Sequence, residues 1–259
     1  MKTFKKISNH GFVALVLLFC YLPILSLIVF SFNESRSLTK LTGFSLKWYG
    51  ELFKNQEIIN AVVITFVVAI LATFISTIIG TFASIAIARH KRKLRNSILS
   101  LNNIPIVNPE IVTAIGLLLL FQSIQLERGF LTMLLAHIAF CVPYVILSVY
   151  PKVRSLDPSL QEAAQDLGAT PLQALRHAIL PQIKVAVFAA AAISFTMSFD
   201  DFVISYFTAG STTNISIYLY TLKRGVNPTI NALSTIMIIV ITIVVVANFI
   251  RTNKQEKGD

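Results

Sequence analysis

The 259-residue sequence is short of charge: Asp, Glu, Lys and Arg make up 13% of it, where a soluble domain carries roughly a quarter. Apolar types reach 55% and the mean hydropathy is +0.73. That balance excludes a single water-facing core and makes lipid the main solvent. Cysteine is scarce too, with only Cys20 and Cys141, both inside apolar stretches. They show no metal-ligand spacing, and buried cysteine behaves as a small hydrophobe. The four histidines, His10, His90, His137 and His177, are scattered. A hydrolase would need a nucleophile and base together, and no such constellation emerges. His137, inside an apolar run, reads as a packing or locally hydrogen-bonded residue. A Gly-rich phosphate loop of the Walker type is also missing, so the chain is not itself an ATPase.

What is present is apolar length. Six runs, near 12–32, 61–88, 98–122, 130–150, 185–207 and 231–250, are long enough to cross about 30 Å of hydrocarbon. Open sheet edges cannot face lipid, so these runs are expected to be helices. The predicted fold class is an all-α membrane protein with six transmembrane helices, residues 1–259 forming one transmembrane domain. Lys2, Lys5 and Lys6 ahead of an apolar stretch look like the start of a signal peptide. The stretch is long enough to span and lacks a small-x-small cleavage site, so a retained first helix is expected.

The net charge of +10 would suit nucleic acid if the basic residues formed a patch. They sit instead in short clusters between apolar runs, which is how topology is encoded. With the N-terminus inside, segments 1–11, 89–97, 151–184 and 251–259 hold fifteen of the 22 Lys and Arg. The strongest anchor is Arg89, Lys91, Arg92, Lys93 and Arg95. Both termini are therefore predicted to be cytoplasmic. Trp48 and Tyr49, in the first outside segment, suit an interfacial aromatic belt; the functional alternative is a contact with substrate or an external partner.

The loop 151–184 reads as two short helices. Asp157 caps one that starts with Pro158, Leu160, Ala163, Ala164 and Leu167 share a face, and Gly168 ends it in a left-handed conformation. Thr170 and Pro171 start the second, with Leu172, Leu175 and Ile179 as its apolar face, and Pro181 closes it. Helices this short need a docking surface. Three acidic residues fall within predicted spans: Glu110, after Pro105 and Pro109, and the adjacent Asp200 and Asp201. Carboxylates there are costly unless they face water, a partner or a cation. Asp200 and Asp201 point about 100° apart on a helix, so one is expected to face the path and the other to cap or pair. Acidic groups along a path imply a cationic solute, attracted also by aromatic faces; a metal cation or a proton would suit them equally. Ser198 and Tyr206 lie in the same stretch, with ordinary packing the first reading for both.

Glu162-Ala163-Ala164, Gly168 four residues later and Leu180-Pro181 resemble the EAA loop of binding-protein-dependent ABC importer permeases. The resemblance implies a type I importer fold and a coupling helix, carrying Glu162, Ala163, Ala164 and Gly168, that inserts into a cleft on an ATP-binding subunit. The stretch Ser198-Phe199-Asp200-Asp201-Phe202 through Phe207, the segment Gly225-Val226-Asn227-Pro228 and the early Ser31-Phe32-Asn33-Glu34-Ser35 are similar to the spermidine/putrescine permeases of that family. Where those relatives carry Asp after Ser-Pro, this chain has Asn108-Pro109-Glu110. The likeness implies a substrate pathway at Glu110, Ser198, Asp200, Asp201, Tyr206 and Trp48. It implies a second permease subunit, two ATP-binding subunits that hold ATP and Mg, and an external polyamine-binding protein, in a bacterial inner membrane. The permease subunit itself would be non-catalytic and need no cofactor. The rivals are a permease for ferric iron or thiamine, and an ion-coupled secondary transporter, which would favour internal repeats that are not evident.

Overall fold

The computed structural model describes the backbone of residues 2–37, 39–157, 159–222 and 227–256, and the side chains of those from 11 to 243 together with Val246 and Ile250. In chain order the helices are α1 (Lys2–Ser31), α2 (Lys47–Lys54), α3 (Gln56–Arg89), α4 (Arg92–Val107), α5 (Glu110–Ser123) and α6 (Phe130–Arg154). Then come α7 (Ser159–Asp166), α8 (Pro171–Ala174), a π turn (Leu175–Ile179), α9 (Leu180–Phe199), α10 (Val203–Thr208), α11 (Ile215–Thr221) and α12 (Pro228–Glu256). Among the described residues the only β pairing is one isolated bridge, Asn33 to Phe44.

Four stretches have the length and composition to cross a membrane: Gly11–Ser31, Gln56–Arg89, Phe130–Arg154 and Pro171–Phe199. The pair α4 and α5 passes the same test together, bent by 105°. The last expected run corresponds to a shorter apolar stretch, Pro228–Ile243, at the start of α12. Apolar residues such as Phe19 (80% exposed) and Phe188 (74%) project outward on these helices, as surfaces for lipid or another chain.

The course of the helices corrects three expectations, and two more are corrected below. The run 98–122 is not one helix: Asn108 and Pro109 are extended and α5 starts afresh at Glu110, because the residue before proline avoids the helical region. The run 185–207 is not continuous either; α9 stops at Phe199 and α10 begins at Val203. Nor does Pro181 close a helix. It lies in the first turn of α9, directly after a turn in which the Leu180 N–H reaches the Leu175 carbonyl. The widened turn accommodates a ring that has no N–H and would clash with the preceding turn. The result is one helical run from Pro171 to Phe199.

The chain divides into two compact units, Met1–Ile59 with Leu222–Asp259, and Asn60–Thr221. In the first, α1 packs on α12 and α12 on α2. Its connecting segment winds around Asn33, whose amide donates to the Ser37 and Lys40 carbonyls (both 2.9 Å) and accepts from the Thr42 N–H (2.9 Å). Trp48 is not on an exposed belt. It is 2% exposed and its indole N–H donates to the Asn33 carbonyl at 2.6 Å. Gly225 and Val226 lie outside the described residues, as does Pro158 of the other unit.

In the second unit, α6 and α9 form the main pair, with Val145, Val149, Ile183 and Ala190 wholly buried between their neighbours. Gly80 of α3 allows a close approach to α6: a Cβ there would lie 2.5 Å from the Val145 side chain. Small residues of this kind let backbones meet where lipid removes the hydrophobic drive between helices. A second cluster joins Ala114 and Phe121 of α5, Phe140 and Cys141 of α6 and Ile204 of α10. The Thr132 hydroxyl donates to the Thr208 carbonyl at 2.8 Å, tying α6 to the end of α10.

Candidate functional site

The two broken spans meet at their breaks. Packing of α5 on α10 brings the first residue of α5 to the gap between α9 and α10, where Glu110 interacts with both Asp201 and Asp200. The adjacent aspartates have different surroundings. Asp201 is 5% exposed and serves as the N-terminal cap of α10. Its carboxylate accepts from the Ile204 N–H (3.1 Å), the Ser205 N–H (2.8 Å) and the Ser205 hydroxyl (2.8 Å). A helix so short leaves its first N–H groups without partners, and this carboxylate satisfies two of them. Asp200, at the end of α9, and Glu110 are exposed.

Behind Asp201 stands His137 of α6, 1% exposed. Its Nδ1 lies 2.7 Å from the Ser198 hydroxyl, and its Nε2 lies 2.9 Å from the Ser205 hydroxyl and 3.3 Å from the Asp201 carboxylate. Asn214 donates to the same Ser205 oxygen at 2.8 Å and accepts from the Ile217 N–H at 2.9 Å. The donors and acceptors close if Ser205 gives its one proton to Asp201 and accepts from Asn214 and from a proton on His137 Nε2. Five residues from four segments thus form a buried polar knot. Sequence reasoning missed Ser205 and Asn214 and underrated His137. A lone histidine in an apolar helix carries no local pattern, and its partners lie 61 and 68 positions away. Ser198, 2% exposed, holds His137 in place.

An aromatic cluster joins Phe202, the residue after Asp201, to α10 and α11. Phe202 meets Tyr220 with ring centres 4.8 Å apart, and Tyr206 meets Phe202 and Tyr220 at 5.4 Å. Tyr206 is 47% and Tyr220 65% exposed. Tyr220 was not singled out from the sequence; it reaches the cluster from α11.

The loop region is built by local rules. Asp157 accepts from the Ser159 N–H (2.9 Å) and hydroxyl (2.8 Å) at the start of α7. Those two bonds, the backbone one foremost, hold its carboxyl below the usual carboxylate range. Gly168 has φ +88°; its N–H bonds the Gln165 carbonyl (2.8 Å) and the Ala169 N–H bonds the Ala164 carbonyl (3.1 Å). That pair of bonds is the Schellman ending that a left-handed glycine permits. Thr170 and Gln173 exchange side-chain-to-backbone bonds at 3.3 and 2.8 Å, a capping box for α8. The expected single apolar face of α7 is divided: Leu160 and Ala164 are half-buried, whereas Ala163 and Leu167 point outward beside Glu162. A hundred degrees per residue puts 162, 163, 166 and 167 on one side and 161, 164 and 165 on the other. Leu167 is 90% and Leu172 72% exposed. Leu180 packs on the α6–α9 core and Pro181 is exposed.

Comparison with known proteins gives this geometry a context. The chain is 35% identical over 256 residues to the spermidine/putrescine transport system permease protein PotC of Escherichia coli K12, covering 98% of this chain and 97% of that one. It is 36% identical over 249 residues to PotC of Haemophilus influenzae, with 95% and 97% covered. It is 37% identical over 229 residues to the putrescine transport system permease protein PotI of Escherichia coli K12, with 85% and 82% covered. A chain from a bacterial ABC transporter that imports the acidic polysaccharide alginate superposes with a TM-score of 0.76 at 15% identity, over 96% of both chains. That likeness extends to the fold alone. The sequence pattern of the binding-protein-dependent transport system inner membrane component matches residues 76–253, and the chain belongs to that family of ABC importer permeases.

Proposed function

We propose that this chain is the permease subunit of an ATP-driven polyamine importer and forms half of its translocation pathway. The observation that carries the reading is near-full-length similarity to permeases named for spermidine and putrescine. The site chemistry agrees. Glu110 and Asp200 are exposed carboxylates at the two helix breaks, and Tyr206 and Tyr220 present exposed aromatic faces in the same unit. Carboxylates neutralise ammonium groups and aromatic faces attract them.

Residues 1–259 act as one transmembrane domain of six spans in the bacterial inner membrane, with both termini cytoplasmic; the excess of Lys and Arg in the inside segments supports this orientation. The partners are a second permease subunit, two ATP-binding subunits and an external polyamine-binding protein. ATP and Mg belong to the ATP-binding subunits, and this chain needs no cofactor of its own. Coupling runs through the outward face of α7, where Glu162 offers a charge and Ala163 and Leu167 offer small and apolar contact. The unbroken run from Pro171 to Phe199 carries that motion. At 1.5 Å per residue it is a rod of roughly 43 Å, ending beside Asp200. Rigid-body movement of such a rod alternates access to the pathway between its two sides.

The test is uptake of radiolabelled spermidine by cells without native polyamine import, expressing this chain with its partner subunits. Energy-dependent uptake that disappears when only this chain is omitted is the expected result. An assembled complex with no uptake would overturn the polyamine assignment.

A further inference from the structure

The spans α3 and α6 end at Arg89 and Arg154, and between these ends and α7 lies a cavity of about 400 Å³. Its floor is apolar, with Ile85 and Val153 both buried. Arg89 and Arg154 are exposed on its walls, and Gln161 and Gln165 line it from α7. We propose that this cavity seats the phosphodiester headgroup of an anionic phospholipid, clamped by Arg89 and Arg154.

The paired guanidinium groups and the depth of the cavity agree with that occupant, although Asp157 and Glu162 offset their charge. An arginine that ends a membrane span stands at headgroup level, and basic pockets between span ends are the kind of site that takes acidic lipid heads. Guanidinium groups bind phosphate oxygens through paired N–H donors. Arg89 uses a donor on Gln161, which aims its planar fork along the cavity wall. Arg154 has no polar partner among the described residues. Two acids also line the cavity, Asp157 and Glu162. The Asp157 oxygen nearest the helix is occupied by Ser159. Glu162 is an exposed residue of the outward face of α7 and stands at the rim. Lys91, Arg92 and Lys93, all exposed on the turn after Arg89, keep the surroundings positive. The apolar floor then receives the glycerol and first acyl methylenes, which a soluble anion lacks.

This occupant meets α7 through Leu160, Gln161, Glu162 and Gln165, whereas Ala163 and Leu167 stay on the side left for an ATP-binding subunit. The proposal is independent of the solute carried. Its consequence is that an anionic headgroup props α7 against the span ends and stiffens the coupling hairpin.

The experiment is titration of the assembled, delipidated complex with phosphatidylglycerol or phosphatidylcholine, read by native mass spectrometry. Each arginine near an anionic surface is worth roughly fivefold in affinity, so Arg89→Gln with Arg154→Gln is expected to weaken phosphatidylglycerol binding about thirtyfold. Phosphatidylcholine binding stays unchanged. Lys91→Gln with Lys93→Gln, outside the cavity, is expected to stay within about fivefold of the parent. Equal losses in the two double variants would mean diffuse surface attraction and would overturn the site. Displacement of the lipid by inorganic phosphate would assign the cavity to a soluble anion and also overturn it. If the arginine variant does not assemble, Gln165→Glu, which adds a negative charge inside the cavity, takes its place: weakened phosphatidylglycerol binding supports the proposal, and unchanged binding ends it.

Discussion

The two ends of the helical run Pro171–Phe199 are built on opposite plans. At the α7–α8 end the caps are satisfied within a few residues, Arg89 reaches in to Gln161, and Leu167 and Leu172 are 90% and 72% exposed. At the Asp200 end, satisfaction is long-range: His137, Ser198, Asp201, Ser205 and Asn214 lock α6, α9, α10 and the segment before α11 together. A hairpin whose outward side is exposed is suited to dock against another protein. A break locked from behind presents its remaining carboxylates, Asp200 and Glu110, in fixed positions. On the proposed function, the difference separates a surface for coupling from one for the solute.

Charge inversion at the outward face of α7 is the most severe way to probe the first end. Glu162→Lys is expected to reduce uptake to background while the subunit stays in the membrane, checked by uptake alongside co-purification of the subunits. Normal uptake in an assembled complex would remove the coupling role. At the other end, His137→Ala removes the ring that bonds the buried Ser198 and Ser205 hydroxyls. A loss of about 1–3 kcal/mol is expected for buried polar groups left short of a partner, read as a lowered unfolding midpoint of the detergent-solubilised complex. If exposed Glu162→Gln lowers the midpoint as much, the two ends are not differently built.

The neighbouring aspartates sharpen the contrast further. Asp200→Asn is expected to raise the half-saturating spermidine concentration about tenfold with the midpoint unchanged, equivalent to roughly 1.4 kcal/mol of lost attraction. Asp201→Asn is expected to lower both uptake and midpoint, because it weakens the cap of α10. Identical behaviour of the two would erase the distinction between path and cap. Gly168→Ala is a smaller change: open space surrounds the position, so only the left-handed backbone is strained, by about 1–2 kcal/mol. Faster hydrogen exchange over 159–174 would register it.

The smallest effect is that of pH on α7. The Asp157 carboxyl is depressed by its Ser159 bonds, so its contribution is complete above the ordinary aspartate value and is lost as pH falls through the lower folded one. Hydrogen-exchange protection of Leu160 to Gln165, corrected for intrinsic rate, is therefore expected to be level from neutrality down to about pH 5 and to fall only in stronger acid. A decline already at neutral pH would point to another group.

Legibility in the sequence followed the range of the interactions. Thr170, Gly168 and Asp157 act on neighbours within five positions, and their caps and turn were read directly, though Gln173's half of the capping box was not. The sharp break at Asn108–Pro109 was half legible, since proline announces a break but not its 105° angle. Pro181 misled, because whether proline ends a helix depends on the turn before it, and a π turn has no sequence signature of its own. Trp48 misled too: interfacial tryptophans and buried ones look alike until the Asn33 carbonyl is in place.

By itself the sequence determined that the chain is helical and lives in lipid, because composition and run length decide which solvent a segment can enter. It also determined the coupling hairpin, whose signals are local. Only the tertiary structure decided which of Asp200 and Asp201 is the cap and which is exposed, and that His137 and Asn214 stand behind the cap. Those roles depend on which helices approach each other at the breaks. Side-chain bonds between residues 61 and 68 positions apart leave no periodic trace along a single chain.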